Sequence, residues 1–487
     1  MRTRLLIVLS LLLSLPLLAH AHGHGPGPGA PQESPFVAAT VEHDGVTYGY
    51  RVLAPENVVE GETYPLVLFL HGAGERGDDN RAQLAHFPER MLGADYRESF
   101  PCYIVAPQCP KDADWADGGR GLAQGGGLSD APRPALEAAL LALEHVVRTE
   151  PVDTDRLYLT GLSMGGAGTW DLAARHPEWF AAAVPICGGG DVRQASRLAG
   201  LPLWAWHGAD DTLVDPERTR EMVAAVKAAG GEVKYSELEG VGHGSWVAAY
   251  APDAALAWMF TQRRDVSQRL ALSAKAFAEA CGPEERVAFL GDSITQAGNA
   301  AGGYVDTLRT ALKRAQPDAE VIPAGISGHK VPDLLKRYRA DVIQKGATVV
   351  FIYIGINDVW HSEWGKGTSE EEFEAGLRLL VQEFRESGAD VVLATPSVIG
   401  EKPVGENRLD AELEAFAAIS RRVAAEEGAT LCDLQRAFHD HLRLLTPADV
   451  EQGVLTSDGV HLNEAGNALV ALEAARALRT ALAAHAK

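Results

Sequence analysis

Basic residues, cysteines and long apolar runs are all scarce in this sequence, and each scarcity excludes something. Against 66 Asp and Glu stand only 44 Lys and Arg, giving a formal charge of −22 over 487 residues. Phosphate recognition needs clustered cations, so this balance argues against nucleic acid as a partner and against an anionic membrane surface. It also disfavours a highly acidic polymer such as unesterified pectin, unless one cleft is locally basic. Five cysteines are too few for a disulfide framework in a chain of this length. Cys102 and Cys109 bracket a strand-like stretch, 103–106, which in extended form holds their Cα atoms about 20 Å apart, beyond bridging distance. Any pairing would involve Cys187, Cys281 or Cys432, with no choice among them, and no Cys-x-x-Cys spacing or His/Cys cluster suggests zinc. The one long apolar run is N-terminal. Arg2 and Arg4 precede Leu5 to Leu18, and Ala19-His20-Ala21 supplies a small-x-small cleavage pattern. That run contains Pro16 and is shorter than the ~20 residues a bilayer requires. A cleaved export signal over 1–21 is therefore expected, leaving a secreted or periplasmic protein with no stable membrane insertion.

What is present is enough apolar sequence, 46%, for two globular cores. Residues 22–35, rich in Gly, Pro and His, read as a disordered lead-in. Over 36–261 strand-like runs (66–70, 103–106, 157–160, 182–186, 203–207 and 233–238) alternate with helix-like ones (133–148, 167–176 and 217–229). Such alternation predicts a mainly parallel sheet covered on both faces. The short interval between Ile186 and Leu203 leaves no room for a large cap. Residues 262–284 read as a connecting helix or linker. A second β/α alternation fills 285–487, with strands expected at 287–290, 320–323, 349–354, 391–394 and 430–431. No repeat relates the halves, so the fold class is α/β, as two different three-layer α/β/α domains.

Each half offers a serine nucleophile. In the first, Leu157-Tyr-Leu-Thr-Gly-Leu-Ser163-Met-Gly-Gly runs from a strand through a Gly-flanked serine into a helix, a turn that lifts the hydroxyl clear of the sheet. The Met164 amide at the helix start can face a developing oxyanion. Alone, this motif has as its alternative a Gly-rich turn with a capping serine. However, Asp210 and Asp211 follow the strand ending at His207, and His243 follows the last strand in Gly-Val-Gly-His-Gly-Ser-Trp246. The order Ser…Asp…His, with His71-Gly-Ala-Gly-Glu-Arg-Gly and Phe100-Pro-Cys-Tyr-Ile-Val-Ala-Pro-Gln-Cys upstream, resembles the α/β-hydrolase superfamily. Within it, the polyhydroxybutyrate-depolymerase-like and feruloyl-esterase-like carboxylesterases are most similar. The resemblance implies Ser163, His243 and Asp211 as the triad, with Asp210 as the alternative acid, and implies Ala73 as the second oxyanion amide. His71 and His207 read as structural strand-end residues, and Trp246 as a substrate contact.

In the second half, Val287-Ala-Phe-Leu-Gly-Asp-Ser293-Ile is followed by Gly325-Ile-Ser-Gly328, Gly355-Ile-Asn357-Asp358 and Asp458-Gly-Val-His461. Singly, such segments are ordinary turns and caps. In this order they resemble the SGNH (GDSL-type) hydrolase family over roughly 285–484. The resemblance implies an oxyanion hole from the Ser293 and Gly328 amides and the Asn357 side chain. His461 is then the base, oriented by Asp458 three residues earlier. One departure is Pro323-Ala324, where family members often carry an asparagine; it is expected to alter hydrogen bonding near the oxyanion loop. Trp360 and Trp364 are candidate sugar-stacking residues, with loop packing as the alternative; His361 beside them is not the expected base.

The expected function is a two-site serine carboxylic-ester hydrolase, needing no metal or organic cofactor and acting on acylated carbohydrate or another ester. The alternatives are a lipid or polyester esterase, and a glycan-binding protein with one active domain. The polar, Gly-rich loops 111–130 and 360–367 speak against acyl-chain recognition. Oligomeric state stays open.

Overall fold

A computed structural model of the chain describes residues 34–117, 129, 131–445 and 450–485. The expected export signal and most of the lead-in lie outside the described residues, as does much of the loop 111–130. None of the helices among the described residues is long and apolar enough to cross a membrane. All five cysteines are buried and free.

The first half is built on eight strands: β1 (Val37–His43), β2 (Val46–Leu53), β3 (Tyr64–Leu70), β4 (Tyr103–Pro107), β5 (Val152–Leu162), β6 (Ala182–Ile186), β7 (Leu203–Gly208) and β8 (Val233–Leu238). Their order is β1-β2-β4-β3-β5-β6-β7-β8. The β1/β2 and β2/β4 pairs are antiparallel and the others parallel. Alternate residues of β3 feed opposite faces. Leu66, Leu68 and Leu70 pack beneath the helices α1 (Pro134–Thr149) and α2 (Met164–Arg175), together with α3 (Glu217–Ala228). Val67 and Phe69 enter a second cluster with Phe87, Tyr250 and Met259. A strand covered on both faces must be apolar throughout, which is why β3 reads as an unbroken hydrophobic run. The predicted strands are all present. β1 and β2 are the additions: β1 is an edge strand too exposed to carry a clear pattern, and β2 is only partly buried.

The second half carries five parallel strands, β9 (Arg286–Gly291), β10 (Glu320–Gly325), β11 (Val349–Tyr353), β12 (Asp390–Ala394) and β13 (Thr430–Cys432), in the order β10-β9-β11-β12-β13. The layers over it include α4 (Val266–Ala280), α5 (Ser293–Gly298), α6 (Tyr304–Ala315), α7 (Ile356–Trp360), α8 (Glu370–Glu386), α9 (Asp410–Glu427), α10 (Leu434–Leu445) and α11 (Glu464–His485). The connecting stretch 262–284 carries α4, whose buried Ala274, Phe277 and Ala278 belong to the second core. Both sheets reverse their strand order once, between β3 and β5 and between β9 and β11. At such a switch point the loops diverge beyond the carboxyl ends of the strands and leave a crevice.

Phe36–Lys487 forms one compact unit, and the contacts between its halves are specific. Trp179 donates its indole N–H to the Asp440 carbonyl at 2.7 Å. Arg443 on α10 pairs with Glu137 at 2.6 Å and with Glu144, both on α1. Leu444 of α10 packs into the first core. His176 stacks on Trp179 with ring centroids 4.1 Å apart and meets the Asp440 carboxylate at 3.2 Å.

Candidate active sites

At the first switch point, β5 delivers Ser163 to the start of α2 with φ 55° and ψ −116°. This is the strained backbone of a sharp strand-to-helix turn. The turn closes only because position 165 is glycine: a Cβ there would run into the Leu70 carbonyl on β3. The Ser163 amide is spent on the Ile186 carbonyl, at 2.9 Å. Its hydroxyl lies 2.9 Å from His243 Nε2, and His243 Nδ1 lies 2.7 Å from Asp211 Oδ2. Of the two neighbouring aspartates, it is Asp211 that meets His243. Asp210 is exposed, whereas Asp211 is buried on the imidazole and its other oxygen accepts the Leu213 and Val214 amides at 2.8 and 3.0 Å. Burial pushes the Asp211 carboxyl upward, but the hydrogen bonds from His243 and those two amides outweigh it and hold it below the usual range.

Two histidines assigned to structure do structural work close to the chemistry. The Cys109 amide donates to His71 Nε2 at 2.9 Å, so the other ring nitrogen carries the proton and donates to the Gly72 carbonyl at 2.6 Å. That bond fixes the loop presenting Ala73, and burial pushes the imidazole down to about 4. His207 Nε2 lies 3.2 Å from Asp211 Oδ2, the oxygen that His243 also uses. The sequence showed this histidine only as the end of β7 and gave no sign of its contact with the acid. Cys187, with φ 42°, is buried near Asp211 and His243. Burial pushes its thiol up to about 12, far from a reactive thiolate.

Ala73, Ser163, Met164, His243 and Trp246 share a cleft of about 710 Å³. The Trp246 ring stands edge-on to His243 at 5.4 Å. Arg76, Arg218, Glu75 and Asp114 give the remaining walls mixed charge.

At the second switch point, Ser293 opens α5 directly after β9, and Asp292 caps that helix by accepting the Ile294 amide at 2.9 Å. The Ser293 hydroxyl lies 3.0 Å from His461 Nε2, and His461 Nδ1 lies 2.8 Å from Asp458 Oδ2. The other Asp458 oxygen accepts the His461 and Val460 amides at 2.7 and 3.0 Å, so acid and base are locked within one turn. Competing effects act on the Asp458 carboxyl: burial raises it, but the His461 and Val460 hydrogen bonds prevail and hold it low. Asn357, 3% exposed at the head of α7, donates its amide N–H to the His329 carbonyl at 3.0 Å. Gly328, just before that histidine, has φ 76°, a left-handed conformation suited to glycine.

One buried residue organises the loop that carries Asp458 and His461 and escaped the sequence reading. Glu401 is 1% exposed, and its carboxylate accepts the Val454, Leu455 and Thr456 amides at 2.8, 2.7 and 2.6 Å, together with the Thr456 hydroxyl at 2.7 Å. It lies 57 positions before Asp458, in a segment without motif character, so no local signal points to it. Beneath the serine, burial raises Asp292 to about 7 and Asp358 to about 6. Trp360 stands edge-on to His461 at 6.3 Å, and Trp364 lies against Trp360 at 5.7 Å with 57% of its surface exposed.

The two halves match different families. The dienelactone hydrolase family profile matches residues 127–258, a span that includes Ser163, Asp211 and His243. The GDSL-like lipase/acylhydrolase profile matches residues 289–469, which include Ser293, Gly328, Asn357, Asp458 and His461. An acetylxylan esterase of Geobacillus stearothermophilus is 32% identical over 208 residues, covering 39% of this chain and 92% of that protein. Among solved structures, a thermostable esterase is 38% identical with a TM-score of 0.44, and the match covers 47% of this chain and 64% of that one. An acetyl xylan esterase is 38% identical with a TM-score of 0.38, covering 39% of this chain and 97% of the other.

Proposed function

We propose, for a chain that belongs to the dienelactone hydrolase and GDSL-like acylhydrolase families and is a carboxylic-ester hydrolase, that it is an exported enzyme with two independent serine active sites acting on acylated polysaccharide. The observation that carries this reading is the pair of hydrogen-bonded chains Ser163–His243–Asp211 and Ser293–His461–Asp458, which share no residue. In each, the histidine accepts the serine proton as Oγ attacks the acyl carbonyl, while the aspartate stabilises the imidazolium. The tetrahedral oxyanion is held by the Ala73 and Met164 amides in one site, and by the Ser293 and Gly328 amides with the Asn357 side chain in the other. Histidine returns the proton to the leaving alcohol, and water then hydrolyses the acyl-serine by the same route.

The second site is assigned to acetyl groups on carbohydrate. The exposed Trp364 and its neighbour Trp360 offer flat apolar faces of the kind that stack on sugar rings, next to the base. The acetylxylan esterase relative supports the same substrate class. The first site, with Trp246 at its base and a wide cleft, is assigned to a bulkier acyl group such as feruloyl. Ser163→Ala and Ser293→Ala, assayed on acetylated xylan, methyl ferulate and 4-nitrophenyl acetate, test this. Each is expected to abolish a different activity; loss of every activity from one substitution alone would reduce the other site to a scaffold.

A further inference from the structure

Asn357 can stabilise an oxyanion only if its amide points into the site, and the His329 carbonyl is what it leans on. His329 is half-buried and follows the exposed residues 326–328, beside Gly328 with its positive φ. The adjoining β10 residues Pro323 and Ala324 contribute no polar side chain to steady this loop. Steadying comes from the other side, from Arg337, whose side chain is only 11% exposed. Its Nη2 donates to the Gly291 carbonyl at 2.9 Å, two residues before Ser293. Its Nη1 donates to the Ala324 carbonyl at 2.8 Å, four residues before Gly328, and meets the Asp341 carboxylate at 2.8 Å. Its Nε donates to His329 Nδ1 at 3.1 Å.

We infer that Arg337 is the positioning residue of the second oxyanion hole, tying the ends of β9 and β10 to His329 and, through the His329 carbonyl, setting the Asn357 amide. The guanidinium suits this task because its donors lie in a rigid plane and it never deprotonates in proteins. It also dictates the state of His329. A guanidinium can only donate, so Nδ1 must accept and the imidazole must be neutral with its proton on Nε2. Burial and the Arg337 charge both push His329 downward, in keeping with that state. Arg337 touches no reacting atom; it acts through His329 and Asn357. A lysine ammonium cannot span the two carbonyls and the imidazole at once.

This inference rests on the reading of Ser293 as nucleophile and Asn357 as oxyanion donor, and its test separates the two. In the full chain carrying Ser163→Ala, kcat and KM for 4-nitrophenyl acetate are measured for Arg337→Gln, Arg337→Lys, Asn357→Ala and the Arg337→Gln/Asn357→Ala pair. Arg337→Gln is expected to lower kcat by roughly 10–100-fold with KM changed less than about threefold, because a displaced oxyanion donor is felt in the transition state. Arg337→Lys should recover only part of that loss. The double variant should be about as slow as Asn357→Ala alone, since both remove the same donor. A parental kcat in Arg337→Gln, or losses that multiply in the double variant, would overturn the inference. If Arg337→Gln does not fold, His329→Leu decides: a several-fold fall in kcat supports the link and an unchanged kcat overturns it. Activity surviving in the Ser163→Ala/Ser293→Ala chain would instead overturn the reading of the site itself.

Discussion

Both serines stand where a parallel sheet reverses its strand order, yet acid and base reach them by different routes. In the first half Asp211 follows β7 and His243 follows β8, so their 2.7 Å contact depends on the register of two strands and on a buried carboxylate. In the second half Asp458 and His461 share one turn, and the acid side chain is half exposed. That turn is held from behind by Glu401 rather than by a strand. One triad is assembled by the sheet and the other by a loop with a single buried anchor. The proposed oxyanion donors divide in a parallel way: backbone amides alone are assigned to the first site, whereas the Asn357 side chain is added in the second.

The largest expected effect removes the nucleophiles. Ser163→Ala and Ser293→Ala should each depress one activity by about 10⁴-fold or more while leaving the other within twofold, read as kcat on separate substrates. If either substitution lowers both, the sites are not independent and the comparison breaks. Next is the acid. Asp211→Asn should cost about 10⁴ in kcat, because the amide both fails to stabilise the imidazolium and must be accommodated in a buried pocket. Asp458→Asn should cost at least tenfold less, since water can reach the exposed position. Equal losses would erase the distinction between sheet-built and loop-built triads. Asn357→Ala should then lower the Ser293 activity by about 10²–10³ in kcat and leave the Ser163 activity untouched.

The smallest effect concerns stability. Burial raises Asp292 to about 7 from an ordinary value of 3.8. A carboxyl raised on folding contributes stability that is fully present below its unfolded value and fades as pH climbs through the folded one. The chain should therefore lose Tm between pH 4 and pH 8 through this group. Asp292→Asn, which keeps the acceptor for the Ile294 amide, should flatten that slope in calorimetry. An unchanged slope would remove Asp292 as its source.

Much of this was legible in the sequence, for identifiable reasons. The strands preceding each serine are continuous apolar runs because both faces are covered, and the motif glycines announce turns that admit no Cβ. Asp458 and His461 were readable because three residues separate them. Which of Asp210 and Asp211 meets His243 is visible only in the fold, since adjacent carboxylates differ in direction rather than in type. Glu401, Arg337 and the contact between His207 and Asp211 were invisible for a shared reason. Each acts on backbone or side chains distant in sequence, and a lone Glu, Arg or His outside a motif carries no local signal. β1 and β2 were missed because partly exposed antiparallel strands lack the unbroken apolar run that marks β3.

The insertion of Leu444 into the first core, flanked by the Arg443 ion pairs with α1, bears on how such a chain can be dismantled. Helix α10 packs into both halves, with Leu434, Phe438 and Leu442 in the second core and Leu444 in the first. Cutting the gene between the sheets would yield two fragments that each bare an apolar patch and leave charges without their counterparts. Fusion here has become structural inheritance: exchanging either half for a homologue demands that the α1–α10 seam be exchanged with it.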